Sequence, residues 1–77
     1  MKHFLDFVVR SLVDNPDDVQ ITEVAGDNET VFRVSLHPAD IGLVIGKGGR
    51  TISAIRSLIN AANKAGTHLA VEVVENT

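Results

Sequence analysis

The stretch Ile41-Gly42-Leu43-Val44-Ile45-Gly46-Lys47-Gly48-Gly49-Arg50-Thr51-Ile52 places apolar segments on either side of a four-residue loop that begins and ends in glycine. Joining two helices through so few residues needs backbone angles that a Cβ would obstruct. A loop without bulky side chains also lets a phosphodiester backbone lie against the main chain. The loop feeds the N-terminus of the next helix, where free N–H groups and the helix dipole favour an anion. Lys47 at the tip and Arg50 just after it add mobile positive charge. A plain glycine-rich helix–helix turn meets the same local description, so the surroundings have to decide.

Upstream, His37-Pro38-Ala39-Asp40 marks a strand exit and a helix start, with Pro38 near the first turn where its missing N–H costs little. A short helix is expected over about 39–45, with Ile41, Val44 and Ile45 turned inward. A longer one follows over about 50–64, and Gly66 is placed to stop it. Further out, the alternating runs 19–24 and 31–36 flank the turn formers Gly26-Asp27-Asn28-Glu29, which predicts a β-hairpin. At the N-terminus Phe4, Leu5, Val8, Val9, Leu12 and Val13 recur at helical offsets, predicting an amphipathic helix over about 3–14 that Asn15-Pro16 ends. The last segment, 67–74, alternates through Leu69, Val71 and Val73 and reads as a strand. The order is α-β-β-α-α-β, an α+β chain without repeat or linker that forms one domain over residues 1–77.

Composition narrows the function. The hydrophobic share of 44% suits a folded domain. Without cysteine there is no disulfide framework or thiolate metal site, which fits a reducing, cytoplasmic setting. Met1-Lys2-His3-Phe4-Leu5-Asp6-Phe7 carries an acid within its apolar stretch and does not read as a signal peptide. No apolar run approaches the roughly 18 residues of a membrane-spanning helix. The net charge of −3 excludes a generalised polyelectrolyte mechanism, so nucleic-acid binding would need a local cationic site with the acids placed elsewhere. Three phenylalanines, with no Tyr or Trp, argue against a base-stacking platform.

A P-loop fails on chemistry. The spacing from Gly42 to Gly46-Lys47 is one residue short, and Gly48 stands where a magnesium-binding Ser or Thr is required. The loop also follows a helix, not a strand, which removes a dinucleotide-binding loop as well. The remaining candidate is a GxxG loop that clamps about four nucleotides of backbone. With Ile45 and Ile52 flanking the glycines and a helix on each side, Ile45-Gly46-Lys47-Gly48-Gly49-Arg50-Thr51-Ile52 resembles the KH signature. The element order resembles the type II arrangement over the whole chain. In size and pattern the chain is similar to the KhpA (YlqC-like) family of small bacterial single-KH RNA-binding proteins.

That resemblance implies a three-stranded sheet with helices packed on one face, and a groove for single-stranded RNA between the motif helices and the sheet edge. Gly46, Lys47, Gly48, Gly49 and Arg50 would hold phosphates, through the amides of Gly48 and Gly49 and the charges of Lys47 and Arg50. Gly42 would allow close approach. Bases would meet an apolar floor around Ile41, Val44 and Ile45, with plain core packing as the alternative for all three and the favoured one for Val44 and Ile45. Leu43 stands where relatives often carry a basic residue, which predicts weak binding. Single-stranded DNA is not separated from RNA, since no 2′-hydroxyl reader is evident. The implied role is an RNA chaperone or post-transcriptional regulator without a cofactor. The alternative is an interaction adaptor whose KH fold mainly docks a partner.

The long helix carries a second apolar arc. Ile52, Ile55, Ile59 and Ala62 suffice to cover a sheet. Beside them lie Ala54, Leu58, Ala61 and Ala65, while Arg56, Asn60, Asn63 and Lys64 keep the rest polar. The extra arc is either core beneath the N-terminal helix or a dimer interface. The resemblance implies a homodimer and pairing with a larger Jag-type KH protein. His3, His37 and His68 show no metal-ligand spacing, and Asp14, Asp17 and Asp18 lack the EF-hand pattern. No nucleophile is paired with a base, so an enzyme is not expected.

Overall fold

The computed structural model describes residues 1–76. Helix α1 spans Lys2–Leu12, strands β1 and β2 span Gln20–Ala25 and Glu29–Leu36, helices α2 and α3 span Ile41–Ile45 and Arg50–Ala62, and strand β3 spans His68–Glu75. One-turn 3₁₀ segments occupy Pro16–Asp18, Pro38–Asp40 and Lys47–Gly49. The sheet order is β1-β2-β3, with β1 antiparallel to β2 and β2 parallel to β3. The hairpin closes through Gly26 N–H to the Glu29 carbonyl at 2.7 Å. A parallel pair needs a long crossover, and α2 with α3 supplies it. The predicted element order and α+β class are those observed.

One core holds these elements together. Val19, Ile21, Phe32, Val34, Leu36, Leu69 and Val71 meet Leu5, Val9, Val44, Ile52, Ile55 and Ile59. Alternation along the strands sends these residues to one face, where all three helices pack. The opposite face is a ladder of cross-strand rows, among them Thr22–Arg33–Glu72 and Val24–Val31–Ala70.

Three expectations are corrected. Helix α1 stops at Leu12, and Val13 is already extended (φ −95°, ψ 160°), because the Asp40 carboxylate draws the N–H groups of Asp14 and Asn15 away from helical partners. Phe4 and Leu12 do not join Leu5 and Val9 in the core but stay 38% exposed, and Phe7 is 69% exposed. The cause is position: α1 packs against α2, α3, β1 and the 3₁₀ segment that follows it, and Phe4, Phe7 and Leu12 lie off the stripe that Leu5 and Val9 turn to the core. Helix α3 ends at Ala62 rather than near Lys64, leaving Ala62 exposed and Ala65 outside the helix. Asn63 turns extended there, its side chain donating to the Thr67 carbonyl at 2.7 Å and accepting from Ala65 N–H at 3.3 Å, which is how Asn competes with a helix end.

Candidate nucleic-acid interface

The loop glycines answer two different demands. Gly46 has φ 77° and ψ 170°, a region that only glycine occupies without strain. A Cβ there would also sit 2.8 Å from the Thr51 backbone nitrogen and against its side chain. Gly48 and Gly49 have φ of 64° and 79°, yet a Cβ at either would meet nothing within 4 Å. Gly46 therefore packs the loop onto α3, while Gly48 and Gly49 shape it and leave open space in front. At Gly42 an added Cβ would likewise enter open space, with no positive φ to demand glycine.

Hydrogen bonding inside the loop corrects the amide assignment. Gly49 N–H donates to the Gly46 carbonyl at 3.1 Å, and Gly46 N–H to the Gly42 carbonyl at 2.9 Å. Arg50 N–H is taken by the Lys47 carbonyl. Gly49 is thus spent as an amide donor, because the positive φ values curl the loop into a 3₁₀ turn. Among the described residues, the N–H groups of Lys47 and Gly48 make no backbone hydrogen bond. Gly48 keeps its predicted donor, and Lys47 adds an amide that its side chain had overshadowed.

Beneath the loop, Val44 is fully buried, as the packing alternative had it, while Ile41 and Ile45 rest half-buried against the core. Leu43 is 44% exposed beside them. Helix α2 is only one turn long, and Asp40 anchors its start. The buried Asp40 carboxylate accepts from Asn15 N–H at 2.9 Å, Asn15 Nδ2 at 3.2 Å and Asp14 N–H at 3.3 Å. Burial alone would raise its pKa. The bonds from the Asn15 side chain and the two backbone N–H groups, with the field of His37, outweigh that and hold it below the ordinary 3.8. His37 Nδ1 in turn accepts the Ala39 N–H at 3.0 Å.

Charge is segregated along the chain. All ten acidic residues lie outside residues 41–71, the segment that carries Lys47, Arg50, Arg56 and Lys64. Elsewhere Arg10 pairs with Asp6 at 2.9 Å and Arg33 with Glu72 at 3.5 Å. Lys47 and Arg50 are exposed and have no carboxylate partner among the described residues. A local cationic site thus coexists with a negative total.

Strand β3 forms one border of the sheet, with α2 and α3 against it. Two α3 side chains that sequence reasoning assigned merely to a polar face act on that border. Asn60 accepts from Leu69 N–H at 2.9 Å and donates to the Leu69 carbonyl at 2.8 Å, as a neighbouring strand would. Arg56 donates to the Val71 carbonyl through Nη2 at 2.8 Å and Nε at 3.3 Å. Only the i, i+4 spacing of Arg56 and Asn60 hinted at a shared task.

On the other side of α3, Ala54, Leu58 and Ala61 are exposed, Leu58 to 48%. They do not lie beneath α1, so the core alternative for this arc is overturned. Ala65 is exposed as well but sits in the connection to β3. Among the described residues no group of His, Asp and Glu gathers to hold a metal, and no helix is long and apolar enough to cross a membrane.

A family profile described as the KH domain of KhpA/KhpB matches residues 2–73. The chain is 41% identical over 76 residues to the RNA-binding protein KhpA of Chlamydia trachomatis, covering 97% of each chain. It is 43% identical over 75 residues to the RNA-binding protein KhpA of Clostridium acetobutylicum, covering 96% of this chain and 100% of that one. With the protein of the same name from Mycobacterium leprae it shares 44% identity over 71 residues, covering 92% and 86%.

Proposed function

The chain belongs to the KhpA/KhpB family of KH domains, and from that premise we propose that it binds single-stranded RNA through the loop Gly46–Gly49. The observation that carries this reading is the pair of unspent amides at Lys47 and Gly48, set among cations in an acid-free segment. The strand's phosphates meet those amides, with Lys47 and Arg50 supplying charge and the uncluttered Gly48 and Gly49 giving the backbone room. Gly46 holds the loop's shape. Gly42, Ile41 and Ile45 border the apolar floor. The relatives are named RNA-binding proteins, and on this reading the chain acts by capture rather than catalysis. Its role is that of a cytoplasmic RNA chaperone or post-transcriptional regulator.

The decisive comparison is between the native chain and the double variant Lys47→Asp, Gly48→Asp on a short single-stranded RNA. With two or three phosphates neutralised, the native slope of log K against log salt is expected at roughly −1.5 to −2. The double variant is expected to bind on the order of 100-fold more weakly, with an unchanged circular dichroism spectrum. Undiminished binding would remove the loop from the mechanism. The same measurement on DNA of matching sequence ranks the two nucleic acids.

The exposed Leu58 supports a second activity of the same molecule, docking. Ala54, Leu58 and Ala61, with Ala65 at their margin, offer a small-residue face with one apolar knob. That face suits a second copy of the chain or a larger Jag-type KH protein. An adaptor without RNA function would tolerate acid at Lys47 and Arg50 and fail only when this face changes.

A further inference from the structure

The two borders of the sheet are finished differently. At β3, Asn60 and Arg56 cover the main chain of Leu69 and Val71. At β1, Gly26 N–H donates to the Glu29 carbonyl, and the ladder beyond it is regular, with Val24 opposite Val31, Thr22 opposite Arg33 and Gln20 opposite Ser35. In an antiparallel pair, hydrogen-bonded and non-hydrogen-bonded positions alternate. Val24, Thr22 and Gln20 therefore turn their N–H and C=O groups to β2, while Ile21, Glu23 and Ala25 turn theirs outward. Among the described residues, none of those outward groups has a backbone partner. Arg10 caps only the approach to the strand, at the Val19 carbonyl (3.3 Å). A groove of about 360 Å³ separates the start of this edge from α1, with Lys2 and Arg10 on the α1 wall and Arg10 already paired with Asp6. The border is thus open where a further strand would lie, and bare edges accept one.

Charge selects the occupant. Residues 11–32, which contain β1, hold Asp14, Asp17, Asp18, Glu23, Asp27 and Glu29 and no lysine or arginine. Of these acids, only Glu29 nears a basic side chain among the described residues, His68 Nε2 at 4.0 Å. A second copy of β1 is disfavoured, since antiparallel pairing about the middle of the strand would bring two Glu23 carboxylates together. We propose that the free edge of β1 docks an extended, basic segment of a partner protein, which adds as a fourth strand along residues 21–25. Main-chain hydrogen bonds to Ile21, Glu23 and Ala25 hold the segment, and Glu23 with the acids at either end of β1 selects lysine or arginine. This edge lies across the sheet from β3, against which α2 and α3 pack, and its use does not depend on RNA binding.

The test titrates the isotope-labelled native chain with the peptide acetyl-KVKVKV-amide, followed by NMR. The amide resonances of Ile21, Glu23 and Ala25 are expected to move, and their hydrogen exchange to slow by about tenfold or more at saturation. Glu23→Lys is expected to bind the peptide about tenfold more weakly, with an unchanged circular dichroism spectrum, since Glu23 is exposed. The same peptide N-methylated at every residue keeps its charges but loses the strand's donors, and should also bind on the order of tenfold more weakly. Equal binding of the N-methylated peptide would reduce the contact to charge and overturn the docking edge. Resonances of Ile21, Glu23 and Ala25 that stay put at millimolar peptide would overturn it too. If acetyl-EVEVEV-amide binds as well as the basic peptide, charge does not choose the partner and the assignment fails. Exchange protection of those three amides in the native chain alone would place a second copy on the edge, which equally overturns a basic partner.

Discussion

Gly46 and Gly48 stand two residues apart in one loop, both with positive φ, yet the chain around them treats them differently. At Gly46 a side chain would collide with Thr51 in addition to straining the backbone. Gly46→Ala is expected to cost about 2–4 kcal/mol, combining an unfavourable backbone region with overpacking. Gly48→Ala adds a methyl group to open space and should cost about 1 kcal/mol, the left-handed penalty alone. Thermal unfolding of the two variants checks this, and equal midpoints would mean that Thr51 yields to the methyl group. The order reverses for function in the proposed site, because the methyl of Gly48→Ala stands where a phosphate would approach.

At the scale of the element, α2 is too short to be helical on its own, so its neighbours must hold it. Val44 anchors it from below and Asp40 from its start, by reaching back to the segment that follows α1. Asp40→Asn removes the anion that three N–H groups converge on and is expected to lower the unfolding midpoint by roughly 10 °C. The sign with pH follows from the lowered pKa of Asp40. A depressed carboxylate contributes stability that is present above its ordinary value and lost as pH falls through the folded value. The gap between native and Asp40→Asn should accordingly be full at neutral pH and close below about pH 4. A gap that persists in strong acid would show that shape, not charge, carries the contribution.

For the whole molecule, the question is how an acidic chain meets a polyanion. Its acids are confined to residues 6–40 and 72–75, and the charged side chains of residues 41–71 are all cationic. The exposed apolar residues are spread as well, Phe4, Phe7 and Leu12 on α1, Val24 on β1, Leu43 on α2 and Leu58 on α3. If the Leu58 face joins two copies, Leu58→Asp should weaken self-association by about 100-fold, as burying a charge at a hot spot does. Sedimentation of the variant as a monomer with a native spectrum is the expected result. Sedimentation identical to that of the native chain would leave the face without a partner of its own kind.

Sequence alone determined the succession of elements and the helix–loop–helix around Gly46–Gly49. Glycine punctuation and apolar periodicity are written in consecutive residues and need no distant partner to be interpreted. It equally announced that Leu58 and its alanines exceed what one sheet can use. Only the folded chain decided which amides stay open, since Gly49 closes on Gly46 through angles that the letters do not state. It also decided where α1 stops, because Asn15 answers to Asp40, and it placed Arg56 and Asn60 on the border of β3. Those outcomes depend on groups that meet only after the crossover brings α3 beside β3, and local pattern holds no record of such meetings.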